Sequence, residues 1–276
     1  MNWVGLADAH EVEFDLTGLS NRTRRQPVKL TQRPDALACR GTLMLEADVA
    51  AFTVPRDLIS HGLGASFKLS VAFGRNDHLD FMLSIGDGYW EHRLPLNITD
   101  EVEVVRITYA WDAATRAAVL SVYQPRSQHL AQVLVPAPRP VPWAALRALI
   151  HDAPEMCRVN DVSFVALSRA FEPAGPMPGL TRRCEIATPL GMRPIGDMDT
   201  GDVVLTPRGA ACRVLAQVRR RLPARGSFAP YVLRAPSMGL EHDLTLSAES
   251  LVELEGSDVE YLLGTERVLA QARQIG

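Results

Sequence analysis

The sequence predicts an all-β fold in two successive parts, and three observations predict it. Short runs of alternating or β-branched residues recur along most of the chain. Polar turns rich in Gly, Asn and Asp separate them at short intervals. One stretch breaks the pattern, Pro173-Ala174-Gly175-Pro176-Met177-Pro178-Gly179, whose prolines and glycines can neither continue a helix nor pair as a central strand. The expected organisation is a jelly-roll-like β-sandwich over residues 1–172, a linker over 173–178 and a second β domain over 179–276. A chain of 276 residues suits two domains.

In the first part, strands are expected at Thr42–Asp48, Phe67–Phe73, Leu79–Ile85, Val102–Tyr109, Ala118–Tyr123, Ala131–Val135 and Val162–Ser168. Turns fall at Gly74-Arg75-Asn76-Asp77, Gly86-Asp87-Gly88, Asn97–Asp100 and Asp112-Ala113-Ala114. One helix is expected, Pro142–His151. Its proline suits a first helical turn, and Trp143, Leu146, Leu149 and Ile150 form an apolar stripe that leaves Arg147 to water. In the second part, strands are expected at Val203–Leu205, Cys212–Val218, Tyr231–Leu233, Leu244–Leu246, Leu251–Leu254, Glu260–Leu262 and Val268–Leu269, with another near Ile186.

Composition removes several function classes. A net charge of −3 and a sequence pI near 6.2 give no basic field for nucleic acid. Cys39, Cys157, Cys184 and Cys212 are far apart, so no zinc knuckle or CxxC redox motif is present, and buried thiols are expected. No apolar run is long enough to span a bilayer. Met1–Phe14 is acidic and lacks the apolar stretch of a secretory signal, so the expectation is a cytoplasmic protein, or one exported without a cleaved signal or carried within a particle. No Gly-x-Ser-x-Gly elbow, P-loop or dinucleotide fingerprint appears.

Residues 186–207, IATPLGMRPIGDMDTGDVVLTP, carry the most informative pattern. Pro189 and Gly191 bend the chain, Ile195 and Met198 supply apolar cover, and Gly201-Asp202 turns into Val203–Leu205. This order of turns and strands, with Leu233–Leu254 and Glu260–Ala272 after it, resembles the Hedgehog/intein (Hint) domain over roughly residues 179–276. The resemblance implies a self-processing site. A Cys or Ser at the domain's first position would attack the carbonyl before it, and a Thr/Ser-x-x-His turn would assist at the scissile amide. The first position falls on Gly179, which has no side chain, and the turn falls on Ser247-Ala248-Glu249-Ser250, with Ser250 where His belongs. The expectation is that no catalytic residue remains, with Cys184 and His242 as the substitutes to weigh. Arg182-Arg183 and Arg219-Arg220-Arg221 read as solvated ends or as an anion site.

In the first part, residues 105–123, VRITYAWDAATRAAVLSVY, resemble a hairpin of laminin-G-like or concanavalin-like jelly rolls. That resemblance implies a glycan or calcium site on loops at one rim. Candidate residues are Asn76, Asp77, His78, Asp80, Asp87, Tyr89, Trp90 and His92. Asp77, Asp87, Tyr89 and Trp90 are the first choices, and ordinary turn chemistry is the alternative. Trp111 is expected in the core. Glu101 and Glu103 alternate so as to share a strand face, as a hydrolase pair would. The expected function is non-catalytic binding or scaffolding, with a glycan or another protein as partner, calcium as the cation the carboxylates could hold, and oligomerisation open. The competing readings are self-cleavage near residues 179–184 and a structural subunit of a secreted or virion-like assembly.

Overall fold

The computed structural model describes residues 2–19, 36–49, 55–75, 77–98, 102–236 and 240–275. The chain divides into two units, Met1–Pro176 and Met177–Gly276. Asn76, Asp100 and Glu101 lie outside the described residues.

In the first unit the strands are β1 (Trp3–Ala7), β2 (Val12–Phe14), β3 (Leu37–Ala38), β4 (Arg40–Val49), β5 (Arg56–Leu63), β6 (Phe67–Gly74), β7 (His78–Ile85), β8 (Gly88–Pro95), β9 (Glu103–Asp112), β10 (Ala117–Gln124), β11 (His129–Leu134), β12 (Val141–Pro142) and β13 (Val162–Ser168), with helix α1 (Trp143–Val159) before the last. A seven-stranded antiparallel sheet runs in the order β11-β10-β9-β4-β13-β1-β2, and a four-stranded sheet in the order β5-β6-β7-β8. Side-chain alternation builds the core. Phe67, Leu69, Val71 and Phe73 of β6, with Leu79, Phe81, Leu83 and Ile85 of β7, are buried every second residue. They share one apolar cluster with Leu43, Leu45, Val105, Ile107, Tyr109, Trp111, Leu120 and Val122 of the larger sheet. The sandwich is therefore as expected, and so is the core position of Trp111. Strands β5 to β8 follow one another in a single sheet as a meander inserted between the paired neighbours β4 and β9.

Helix α1 is longer than its expected end at His151 because Pro154 does not stop it. Proline inside a helix costs about 3 kcal/mol. Ala153 and Cys157 continue the buried stripe of Leu146, Leu149 and Ile150, and that burial outweighs the lost hydrogen bond. The helix packs on β1, β2, β13 and β5. On the other face of the large sheet, the segment after β13 is tied down. Thr42 Oγ1 donates to the Ala170 carbonyl (2.8 Å) and accepts from the Glu172 N–H (2.8 Å), and Arg106 donates to the Gly175 carbonyl (3.3 Å). Residues expected as linker up to Pro176 thus belong to the sandwich unit.

The second unit is built from two-stranded antiparallel ladders: β14 (Glu185–Thr188) with β15 (Gly191–Pro194), β16 (Val203–Leu205) with β17 (Ala211–Arg213), β18 (Tyr231–Leu233) with β19 (Leu244–Leu246), and β20 (Leu251–Glu255) with β21 (Arg267–Gln271). Helix α2 (Ser257–Leu263) joins the last pair. Its central cluster is small: Leu233, Leu246 and Ala272, with Tyr231, Leu244, Val252 and Ile275 packed against them. Two expected strands are corrected. Glu260–Leu262 is part of α2, because Gly256 and the left-handed Gly264 stop the strand and cap the turn, with the Gly264 N–H on the Glu260 carbonyl (2.9 Å). The strand expected over Cys212–Val218 ends at Arg213, after which the chain runs on without a ladder. Two of the thiols expected to be buried, Cys39 and Cys212, are exposed; Cys157 and Cys184 are buried.

Candidate functional site

The site is built by one short turn and the segment it grips. Ser247 to Ser250 follow β19, and the Ser250 N–H closes the turn on the Ser247 carbonyl (3.1 Å). The turn is locked from behind by the last residues of the domain: the Ala272 N–H donates to the Ser250 carbonyl (2.9 Å) and the Arg273 N–H to the Ala248 carbonyl (3.1 Å). In front of it, residues 179–181 lie antiparallel to β19. A bridge joins Leu180 to Leu246, the Ser247 N–H donates to the Gly179 carbonyl (2.9 Å), and the Thr181 N–H donates to the Thr245 carbonyl (3.2 Å).

At the head of this pairing sits the Pro178–Gly179 peptide. The Gly179 N–H donates to both Ser247 Oγ and Ser250 Oγ at 3.0 Å, and Ser250 Oγ donates to the Gly179 carbonyl at 2.9 Å. The two hydroxyls are 3.0 Å apart. Since the Ser250 proton is committed to the carbonyl, Ser247 is the donor between them. One step upstream, the Met177 N–H donates to the buried Glu249 carboxylate at 2.5 Å. The three positions chosen from opposite ends of the domain, Gly179, Ser247 and Ser250, are thus in direct contact.

The chemistry of this arrangement is limited by what Gly179 and Ser250 carry. A Cβ added at Gly179 would meet nothing within 4 Å, so glycine is not there for lack of room. Hydroxyls can accept from and donate to the amide, but a serine gives up a proton far less readily than an imidazolium. Glu249 lies inside the Ser247–Ser250 turn, where the sequence pattern assigns it no role. Its signal was a carboxylate in a turn otherwise made of small residues, and only the fold shows that it holds Met177.

Residues 178–275 match the family model of the Hint domain. This chain carries a Hint domain. No curated protein matches the chain. In the Hint domain the substitutes to weigh are Cys184 and His242. Cys184 is buried, with Sγ directed at the Glu185 carbonyl (3.8 Å), and burial followed by the Glu185 charge pushes its thiol up. His242 is exposed, and among the described residues no hydrogen bond or ion pair joins the two. Of the arginines, Arg219 is folded back on its own domain, donating to the Met198 carbonyl (3.0 Å) and lying 3.6 Å from Asp199.

The candidate residues of the sandwich are dispersed. Asp77 and Asp87 precede and follow β7, so about eight residues at roughly 3.3 Å each separate them, close to 26 Å, and one cation cannot use both. Asp77 takes a left-handed turn (φ 55°) and its carbonyl accepts from the Leu96 N–H (2.9 Å). Asp87 pairs with Arg139, whose hydrogen bond holds its carboxyl below the usual range. Tyr89 and Trp90 are neighbours on β8 and point to opposite faces. Tyr89 is exposed, with its hydroxyl on Glu91 (2.8 Å). Trp90 packs against the core, and its indole N–H donates to the Pro136 carbonyl (2.9 Å). Trp90 is half-buried, and so less open to a ligand than Tyr89. His78 lies 3.2 Å from Asp80, which also accepts from Arg93 (2.9 Å). His92 is half-buried.

Glu103 is corrected as a cleft carboxylate. It is buried and accepts from Gln124 (3.0 Å) and from the Ser127 N–H (2.8 Å) and hydroxyl (3.0 Å), which fastens the turn after β10 to β9. Among the described residues no group of three or more His, Cys, Asp or Glu is placed to hold a metal ion, and no helix is long and apolar enough to cross a membrane.

Proposed function

We propose that the Hint domain of this chain is a peptide clamp without self-cleaving activity, and that the protein binds or scaffolds. The observation that carries this reading is the Pro178–Gly179 peptide, gripped by Ser247 and Ser250 where a nucleophile and an imidazole would act, with neither present. Removing nucleophile and acid–base partner together costs acyl transfer a factor on the order of 10⁴ or more. The same hydrogen bonds, with Glu249 on Met177, hold the start of the domain against its end, which is a mechanical role that needs no reaction.

Intact mass of the purified chain after long incubation, with and without added thiol, tests this. One full-length species is expected. Breakage after residue 178, or at Arg183–Cys184 in a form that Cys184→Ala abolishes, would overturn it in favour of self-cleavage. The reciprocal test installs what is missing: Gly179→Cys with Ser250→His is expected to give thiol-dependent cleavage at residue 179, since the added side chain has open space.

For the sandwich, a glycan-binding role rests on the exposed Tyr89 ring. Tyr89→Ala is expected to abolish any signal on a glycan array, whereas Trp90→Ala acts on stability through its lost packing and its hydrogen bond to Pro136. A uniformly blank array on the wild type would leave scaffolding as the function.

A further inference from the structure

The sandwich has an open cleft of about 390 Å³ between β5 and the C-terminal half of α1, far from the Tyr89 hairpin face in sequence and chemistry. One wall is Ser60, His61 and Gly62; the other includes Asp152, Glu155 and Val159. The size lies within the range of small-ligand and short-peptide sites, roughly 300–1,000 Å³.

Three features describe its occupant. First, among the described residues β5 is an edge strand, bonded to β6 in its sheet. Its free side faces the helix end, because Asn160 Nδ2 donates to the Leu58 carbonyl (3.1 Å). Beyond the register shift at Leu58, β5 pairs with β6 in unbroken register from Ile59 to Leu63, so every second residue there turns its backbone groups away from β6 toward the cleft that Ser60 and Gly62 line. Second, the cleft is rich in acceptors. Asp152 and Glu155 are carboxylates, and no Lys or Arg is among the lining residues. Third, the His61 side chain is only 6% exposed, with Nδ1 3.2 Å from Asp152 Oδ2. Nε2 is buried and has no hydrogen-bond partner. Val159, 72% exposed, adds an apolar contact at the rim.

We propose that this cleft binds an extended peptide carrying Lys or Arg, added as a strand to β5 with its cationic side chain on Asp152 and Glu155. Backbone pairing supplies affinity that any sequence can use, and the acidic wall selects the cation.

The test uses the full-length chain and a blocked pentapeptide of alternating Val and Arg, against the same peptide with Glu for Arg and a copy N-methylated at alternate residues. Binding is followed by titration calorimetry and by backbone amide shifts. The Arg peptide is expected to bind and to shift the Ser60 and Gly62 amides, with the Glu and N-methylated peptides at least about tenfold weaker. Asp152→Asn with Glu155→Gln is expected to weaken the Arg peptide by about tenfold with an unchanged circular dichroism spectrum. Equal binding of the Glu or N-methylated peptide, shifts confined elsewhere, or no saturable binding up to about 5 mM would overturn the proposal.

Discussion

The two units of this protein solve the same problem, pairing β-strands in water, in opposite ways. The sandwich stacks sheets of seven and four strands over a continuous apolar core, in which Trp111, Phe67, Phe73 and Phe81 are fully buried. Among the described residues the Hint domain has two-stranded ladders around Leu233, Leu246 and Ala272, and leaves Leu190, Leu215, Val218, Tyr261 and Leu262 exposed. What the second lacks in burial it replaces with hydrogen bonds between its two ends at Gly179, Ser247, Glu249 and Ser250. Apolar burial is worth about 25 cal/mol per Å² wherever it occurs, whereas a hydrogen bond is worth a net ~1 kcal/mol and only in its own geometry. Loss of one polar contact at the clamp should therefore cost little and act locally, whereas loss of one core side chain in the sandwich should act on the whole unit.

That contrast can be broken or sharpened in steps of decreasing size. Phe81→Ala, in the sandwich core beside Tyr109 (ring centroids 5.4 Å apart), is expected to cost about 3–5 kcal/mol in urea unfolding. Leu246→Ala in the Hint domain should cost nearer 2 kcal/mol, at the low end of such changes, because its small cluster leaves less to hold a cavity open. Equal costs would mean that the two cores are equally packed. Thiol reactivity gives a second measure. Burial pushes the Cys157 thiol up to about 11, so its thiolate is scarce at neutral pH and grows only as the pH rises toward that value. Cys157 should be alkylated roughly a hundredfold more slowly at pH 8 than the exposed Cys212, as read by mass spectrometry of labelled peptides. Cys184, also raised by burial, should fall between them. The smallest effect is at the clamp. Ser250→Ala removes an acceptor from the Gly179 N–H and a donor to its carbonyl, and should cost about 1 kcal/mol. The sharper readout is faster protease cleavage between residues 177 and 181, with the sandwich unaffected. If cleavage there is unchanged, the turn does not clamp.

Much of this was legible in advance, for local reasons. Strict alternation in Phe67–Phe73 and Leu79–Ile85 fixes two strands whatever they pair with, and β13 begins and ends where its sequence pattern does. The correspondence of Gly179 with Ser247-x-x-Ser250 was also legible, because it depends on order along the chain. Strands β1, β5 and β8 were not foreseen. Arg56–Leu63 and Gly88–Pro95 are edge strands with one wet side, so their polar residues blur the alternation. Glu103 reads as exposed by type, and only its partners Gln124 and Ser127, more than twenty positions away, permit its burial.

The sequence by itself determined which residues could pair as strands, where the Pro/Gly stretch divides the pattern, and that Gly179 carries no nucleophilic side chain and Ser250 no imidazole. These are properties of residue type and spacing. Only the tertiary structure decided that α1 runs through Pro154, that Trp90 turns inward and Tyr89 outward, that Asp77 and Asp87 stand at opposite ends of one strand, and that the edge of β5 opens onto an acidic wall. The physical reason is that burial and hydrogen-bond partnership belong to neighbours in space, and a chain names its neighbours only when it is folded.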